Sequence, residues 1–171
     1  WTLMDFAIWF AGGVTVPIYE TSSASQMEWI LSDSDTVALF TENNDHVQRF
    51  EQIKASVPLV RTVMTFDNGD LDELKRRGKE ISDDLVEQRR KISKLNELAT
   101  IIYTSGTTGK PKGCELSHRG FVELSKNATL DLSDVIVEGR STVLFLPLAH
   151  VFARFVEVLC IHGGIRVAFQ P

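Results

Sequence analysis

The sequence predicts an α/β fold of mainly parallel sheet layers flanked by helices. Short apolar runs of strand length alternate along the chain with segments of helical spacing, the pattern from which parallel sheets are built. Cap and turn signals fall between those segments, among them a Ser23 to Gln26 capping box and a Gly163-Gly164 pair. The length of 171 residues, 43% of them hydrophobic, is ample for a buried core.

Taken in order, residues 1–10 read as an amphipathic segment carrying Leu3, Phe6, Ile8 and Phe10, without the cationic and small-residue signature of a signal peptide. Residues 14–19 and 37–40 read as strands. Between them the capping box precedes Met27, Ile30 and Leu31, which share one helix face. Residues 44–55 read as a second helix with Val47, Phe50 and Ile53 inward, followed by a strand at 60–66. Residues 70–97 break the rhythm, with eight acidic and eight basic side chains and only sparse apolar positions such as Leu74, Ile81, Leu85 and Ile92. Mixed charge of that kind predicts an exposed helical connection on the surface. The alternation then returns, with a strand at 99–104 and a helix at 117–130 that turns Phe121, Leu124 and Ala128 to one side. A strand at 142–146, a helix at 150–162 and a strand at 165–169 follow.

Composition excludes several functions. With 18 basic against 23 acidic side chains the net charge is -5, which argues against a phosphate-backbone binder, so no nucleic-acid partner is expected. No apolar run approaches the roughly 20 residues that a membrane-spanning helix needs. Cys114 and Cys160 form neither a disulfide framework nor a metal spacing, and read as small, buried or half-buried thiols of a reducing, cytoplasmic compartment. The chain begins with Trp1 and stops two residues beyond an apparent core strand. Both ends read as cut, so the length is expected to be that of a piece of a larger protein.

The chemistry is concentrated at residues 99–113, ATIIYTSGTTGKPKG. A buried-looking strand runs into a segment rich in glycine, hydroxyl residues and lysine, and a helix opens soon afterwards at Ser117. Gly106, Gly109 and Gly113 permit positive φ and a close approach of backbone to an anion. Thr104, Ser105, Thr107 and Thr108 offer hydroxyl donors, Lys110 and Lys112 offer charge, and Pro111 stiffens the turn between them. The segment is not a Walker A loop. Five positions after Gly106 stands Pro111, and five after Gly109 stands Cys114, where that motif needs Gly followed by Lys and Ser or Thr.

YTSGTTGKPKG at residues 103–113 resembles the signature phosphate loop of the adenylate-forming superfamily, which includes acyl-CoA synthetases, nonribosomal peptide adenylation domains and beetle luciferases. FLPLAHVFAR at residues 145–154 resembles the next core motif of that superfamily, with a helix and a strand between the two. AGGVTVPIYETSSASQMEWILSD at residues 11–33 is similar to the amino-terminal region of long-chain fatty acyl-CoA synthetases, and residues 146–154 lean to the same branch. The resemblance therefore implies that residues 1–171 are a partial amino-terminal, AMP-binding domain of such an enzyme.

The resemblance implies a two-step reaction with ATP, magnesium and coenzyme A. A fatty carboxylate attacks the α-phosphate of Mg-ATP, giving acyl-adenylate and pyrophosphate, and the coenzyme A thiol then displaces AMP. By carry-over, Thr104, Ser105, Gly106, Thr107, Thr108, Gly109, Lys110 and Lys112 bind the phosphates, Thr107 stands near the magnesium, and Lys112 acts in catalysis. His150 lines the acyl or adenylate pocket and orients the carboxylate, with Phe152 in its wall; without the motif, a His at a helix start reads as a cap. His118, following Ser117, reads as a packing residue, while Trp9 and Trp29 read as core. The superfamily's aromatic-Gly-x-Thr-Glu and Thr-Gly-Asp motifs and its carboxy-terminal Lys do not occur in these 171 residues. The chain alone is accordingly expected not to form acyl-CoA. The resemblance leaves open a dimer and a peripheral membrane association of the parent. Other adenylate-forming ligases acting on aryl or amino acids, a non-catalytic nucleotide-binding module and a purely structural subdomain are the competing readings.

Overall fold

The computed structural model describes residues 1–104 and 110–169. The chain divides into two compact units. The first comprises Trp1–Pro17, Arg89–Ile102 and Glu115–Pro171, and the second Ile18–Gln88 and Tyr103–Cys114.

In the first unit, α1 (Thr2–Phe10) buries Met4, Asp5 and Trp9. This is not the face expected from sequence, because Leu3 and Phe10 are exposed. Spacing of 4, 5 and 9 places a carboxylate in the buried stripe, so the most apolar positions do not mark the inward side. The expected strand at 14–19 is reduced to one parallel bridge between Thr15 and Thr100. Pro17 has no N–H with which to continue a ladder.

The helices and strands of the second unit fall close to expectation. Helix α2 (Ala24–Asp33) starts at the Ser23 capping box, in which Gln26 N–H donates to Ser23 Oγ at 3.2 Å and Ser23 N–H donates to Gln26 Oε1 at 2.9 Å. It buries Met27, Ile30 and Leu31. Strand β1 (Ala38–Thr41) pairs in parallel with β2 (Thr62–Thr65), and α3 (Asn44–Glu51), with a short 3-10 turn after it, connects them. Met27, Leu31, Leu39, Phe50, Ile53 and Val57 form one apolar cluster, with Phe50 only 1% exposed. Each such side chain contributes about 1.5–3 kcal/mol by leaving water. Helices α4 (Asp70–Gly78) and α5 (Asp83–Arg90) bury no residue, and on α4 Arg76 and Arg77 both pair with Glu73 at 2.7 Å. Those two guanidiniums hold the Glu73 carboxyl down at about 2.

Strand β3 (Leu98–Thr104) leads from the first unit into the second, with Ala99, Thr100, Ile102 and Tyr103 buried. Such a near-continuous buried run belongs to a strand covered on both faces. It pairs with β4 (Lys112–Ser117), a strand that the turn-rich composition of this stretch did not predict. Cys114 on β4 is exposed, contrary to the buried or half-buried thiol expected from sequence, because this strand leaves residues 112–115 open to solvent.

In the first unit, α6 (His118–Asp131) buries Phe121 and Ser125, one turn apart, and leaves Leu124 half exposed. Strand β5 (Ser141–Leu144) pairs in parallel with β6 (Arg166–Phe169) across α7 (Val151–His162). Gly164 takes φ +66 just after α7, and a Cβ on Gly163 would lie 2.6 Å from Ile136 Cγ2. Two adjacent glycines therefore allow the tight reversal from α7 into β6. Seven α-helices and three small sheets are present among the described residues, and no helix there is long and apolar enough to cross a membrane.

Candidate functional site

The phosphate-loop segment is delivered by β3 and resumed by β4. Thr104 ends β3 exposed, with its hydroxyl 3.9 Å from Cys114 Sγ. Ser105, Gly106, Thr107, Thr108 and Gly109 lie outside the described residues. Lys110 and Lys112 are both exposed. Their ammonium groups are accessible to an anion.

Helix α2 holds both flanks of this segment. The Tyr103 hydroxyl donates to Asp33 Oδ2 at 2.6 Å. Burial of the phenol, together with the adjacent Asp33 carboxylate, raises the Tyr103 pKa, so it stays a neutral donor. On the other flank, Trp29 Nε1 donates to the Pro111 carbonyl at 2.8 Å, and Lys110 Nζ lies 4.0 Å from the centre of the Trp29 ring. Trp29, read from sequence as core, is half-buried and in contact with the candidate site instead.

The His150 side chain is in the first unit. It is the N-cap of α7, where its Nδ1 accepts the Phe152 N–H at 3.2 Å. With Nδ1 accepting, the ring hydrogen is left to Nε2. The imidazole is exposed, as is Phe152. Of the sequence-predicted residues, Thr104, Lys110 and Lys112 belong to the second unit and His150 to the first.

Beneath α7 lies a polar cluster that sequence reading did not single out. Arg154 is fully buried and its Nη2 lies 2.6 Å from both carboxylate oxygens of Asp5, itself 2% exposed. Arg154 Nη1 also donates to the Thr100 hydroxyl, which in turn donates to the Thr15 carbonyl at 2.6 Å. Glu157, one turn along α7, is buried, accepts from the Thr2 hydroxyl on Oε1 and, among the described residues, has no partner on Oε2. Burial, with the neighbouring Asp5 charge, pushes its carboxyl upward. His118 packs edge-on to Trp9 at 5.2 Å, with Nε2 buried and without a partner among the described residues, and burial lowers its pKa. That accords with a packing residue. The available signal was the spacing of Arg154 and Glu157 among the apolar positions of α7, which puts two charges on its inward side.

No group of three or more His, Cys, Asp or Glu side chains suited to a metal ion occurs among the described residues. Residues 103–112 carry hydroxyls and no carboxylate. That donor set suits a magnesium ion whose remaining ligands are phosphate oxygens and water.

A model of the family described as AMP-binding enzyme matches residues 1–171. The Long-chain-fatty-acid–CoA ligase FadD15 of Mycobacterium bovis is 40% identical over 172 residues, covering 99% of this chain and 29% of its own length. The Long-chain-fatty-acid–CoA ligase ACSBG2 of Xenopus laevis is 30% identical over 188 residues, covering 100% of this chain and 25% of its own. The chain thus spans less than a third of the curated relatives it matches. Among solved structures, the N-terminal domain of FACL13 from Mycobacterium tuberculosis superposes with a TM-score of 0.76 at 21% identity, covering 99% of this chain and 40% of that one. The fatty acyl CoA synthetase from Mycobacterium tuberculosis gives 0.75 at 21%, covering 98% of this chain and 31% of that one. These likenesses establish the fold as that of the amino-terminal region of adenylate-forming enzymes.

Proposed function

Because the chain belongs to the AMP-binding enzyme family, we propose that the protein carrying it activates a long-chain fatty acid with ATP and transfers it to coenzyme A. The observation that carries this reading is the pair of exposed lysines, Lys110 and Lys112, at the strand-flanked hydroxyl- and glycine-rich segment. Such a cradle suits a reaction in which positioning and charge neutralisation supply most of the catalysis. The fatty carboxylate oxygen forms a bond to the α-phosphorus as the bond to the pyrophosphate oxygen breaks. The thiol sulfur of coenzyme A then bonds to the acyl carbon, releasing AMP and a proton.

In this reading Thr104, Ser105, Thr107 and Thr108 donate hydroxyl hydrogen bonds to phosphate oxygens, and Gly106 and Gly109 allow close backbone approach. Lys110 and Lys112 balance the polyphosphate charge, with Lys112 stabilising the charge that develops on the departing pyrophosphate. Magnesium, when bound, would neutralise phosphate charge, and Thr107 would offer it a hydroxyl. His150 is assigned to orienting the fatty carboxylate, through the Nε2–H that its capping contact leaves free. The fatty-acid preference is supported by the 40% identity to a relative named for that substrate. Two free cysteines accord with a cytoplasmic setting.

The test is product identification with the full-length protein supplied with ATP, magnesium, coenzyme A and a panel of acids. Equal amounts of acyl-CoA and AMP from a long-chain fatty acid are expected. Thioester formed only from aryl or short acids, or ADP in place of AMP, would overturn the reading.

A further inference from the structure

We propose that Trp29 is a positioning residue for polyphosphate binding, holding Lys110 in place without neutralising it. The inference rests on the ATP-dependent reading above and adds to it a residue far from the loop in sequence. Trp29 and Asp33 stand one turn apart on α2, so both project to the same side of the helix. Met27 and Leu31, also one turn apart, anchor that helix in the apolar cluster of the second unit. Asp33 takes the Tyr103 hydroxyl and Trp29 the Pro111 carbonyl, so α2 grips the chain on each side of residues 105–109. Trp29, Asp33, Tyr103, Lys110 and Pro111 all belong to the second unit.

The chemistry of the Trp29 contact decides its role. The indole is fixed at its polar edge by the bond to Pro111, which leaves its face to Lys110 Nζ, 4.0 Å from the ring centre. An aromatic face attracts an ammonium through its quadrupole and carries no formal charge. A carboxylate in that position would neutralise the lysine before any anion arrived. Asp33, the carboxylate on the same side of α2, is engaged by the Tyr103 hydroxyl instead. The result is an exposed lysine held against an uncharged face, which loses part of its rotamer freedom before binding. A long flexible side chain ordered in advance has less entropy to lose on meeting a phosphate.

The experiment is titration calorimetry of the full-length protein with Mg-ATP and, separately, inorganic pyrophosphate, for wild type, Trp29→Leu, Trp29→Phe, Lys110→Met and the Trp29→Leu/Lys110→Met double variant. Trp29→Leu is expected to weaken ATP binding about fivefold. Trp29→Phe, which keeps an aromatic face without the N–H, should recover part of that loss. On the Lys110→Met background Trp29→Leu should cost nothing further, which a general packing defect would not produce. Unchanged affinity in Trp29→Leu, or the same loss with and without Lys110, would overturn the proposal. Wild-type protein that binds ATP but activates no fatty acid would defeat the functional reading and leave this cycle readable; wild type that binds neither ATP nor pyrophosphate would defeat the inference itself.

Discussion

The Arg154 guanidinium closes on both carboxylate oxygens of Asp5 at 2.6 Å, with both side chains withdrawn from water 149 residues apart in sequence. The pair links α1 to α7, and through Thr100 it also reaches β3. Removing either partner would leave a buried charge uncompensated, which costs about 3–5 kcal/mol. Arg154→Met and Asp5→Leu should each lower the denaturant midpoint strongly, and the double variant should regain much of the loss. Equal and additive losses would show that the two side chains act separately.

Glu157 gives stability a dependence on pH. Its folded carboxyl is raised above the ordinary value of 4.5, burial being the largest cause. The folded state therefore binds its proton more tightly than the unfolded chain. That contribution is full below about 4.5 and is lost as pH rises through the raised value. Thermal midpoints measured from pH 4.5 to 7 should fall more steeply in wild type than in Glu157→Gln, which cannot ionise. Parallel profiles would contradict this.

His118 acts in the opposite direction. Burial lowers its pKa from 6.5, so the folded state keeps the imidazole neutral. Its contribution is present above 6.5 and is lost as pH falls through the lowered value, because the unfolded chain then takes up the proton first. His118→Phe should remove this acid sensitivity while retaining the aromatic contact to Trp9. Monitoring unfolding by denaturant at pH 5 and pH 7.5 checks it; a wild-type loss on acidification that persists in the variant would assign the sensitivity elsewhere.

His150 combines a structural and a chemical role that substitution can separate. His150→Asn retains a side-chain acceptor for the cap, whereas His150→Ala loses it at about 1 kcal/mol. If the imidazole orients the carboxylate, both variants should lower kcat, yet only His150→Ala should lower the thermal midpoint. Full kcat in His150→Asn would reduce His150 to a cap.

Much of this was legible in the chain itself, where its physical cause was local. The Ser23 capping box, the apolar stripe of Met27 and Leu31 and the alternation of strands with helices are each written within a few residues, and the structure repeats them. Thr104, Lys110 and Lys112 stand out in the sequence as candidates because a glycine-rich run after a strand has few other uses. Contacts made over long separations were not. Nothing near Asp5 announces Arg154, and nothing near Trp29 announces Lys110, because partners 149 and 81 positions away are chosen by the fold. The failed strand at 14–19 had its cause in plain view at Pro17, and the unexpected strand β4 is set by pairing with β3 rather than by its own composition.

The most direct test of the central claim is ATP–pyrophosphate exchange by the full-length protein without coenzyme A, which isolates adenylate formation. Exchange should depend on a long-chain fatty acid and should fall about tenfold or more in Lys112→Ala, the scale of one charge-assisted hydrogen bond to phosphate. Exchange indifferent to fatty acid, or undiminished in Lys112→Ala, would contradict the account.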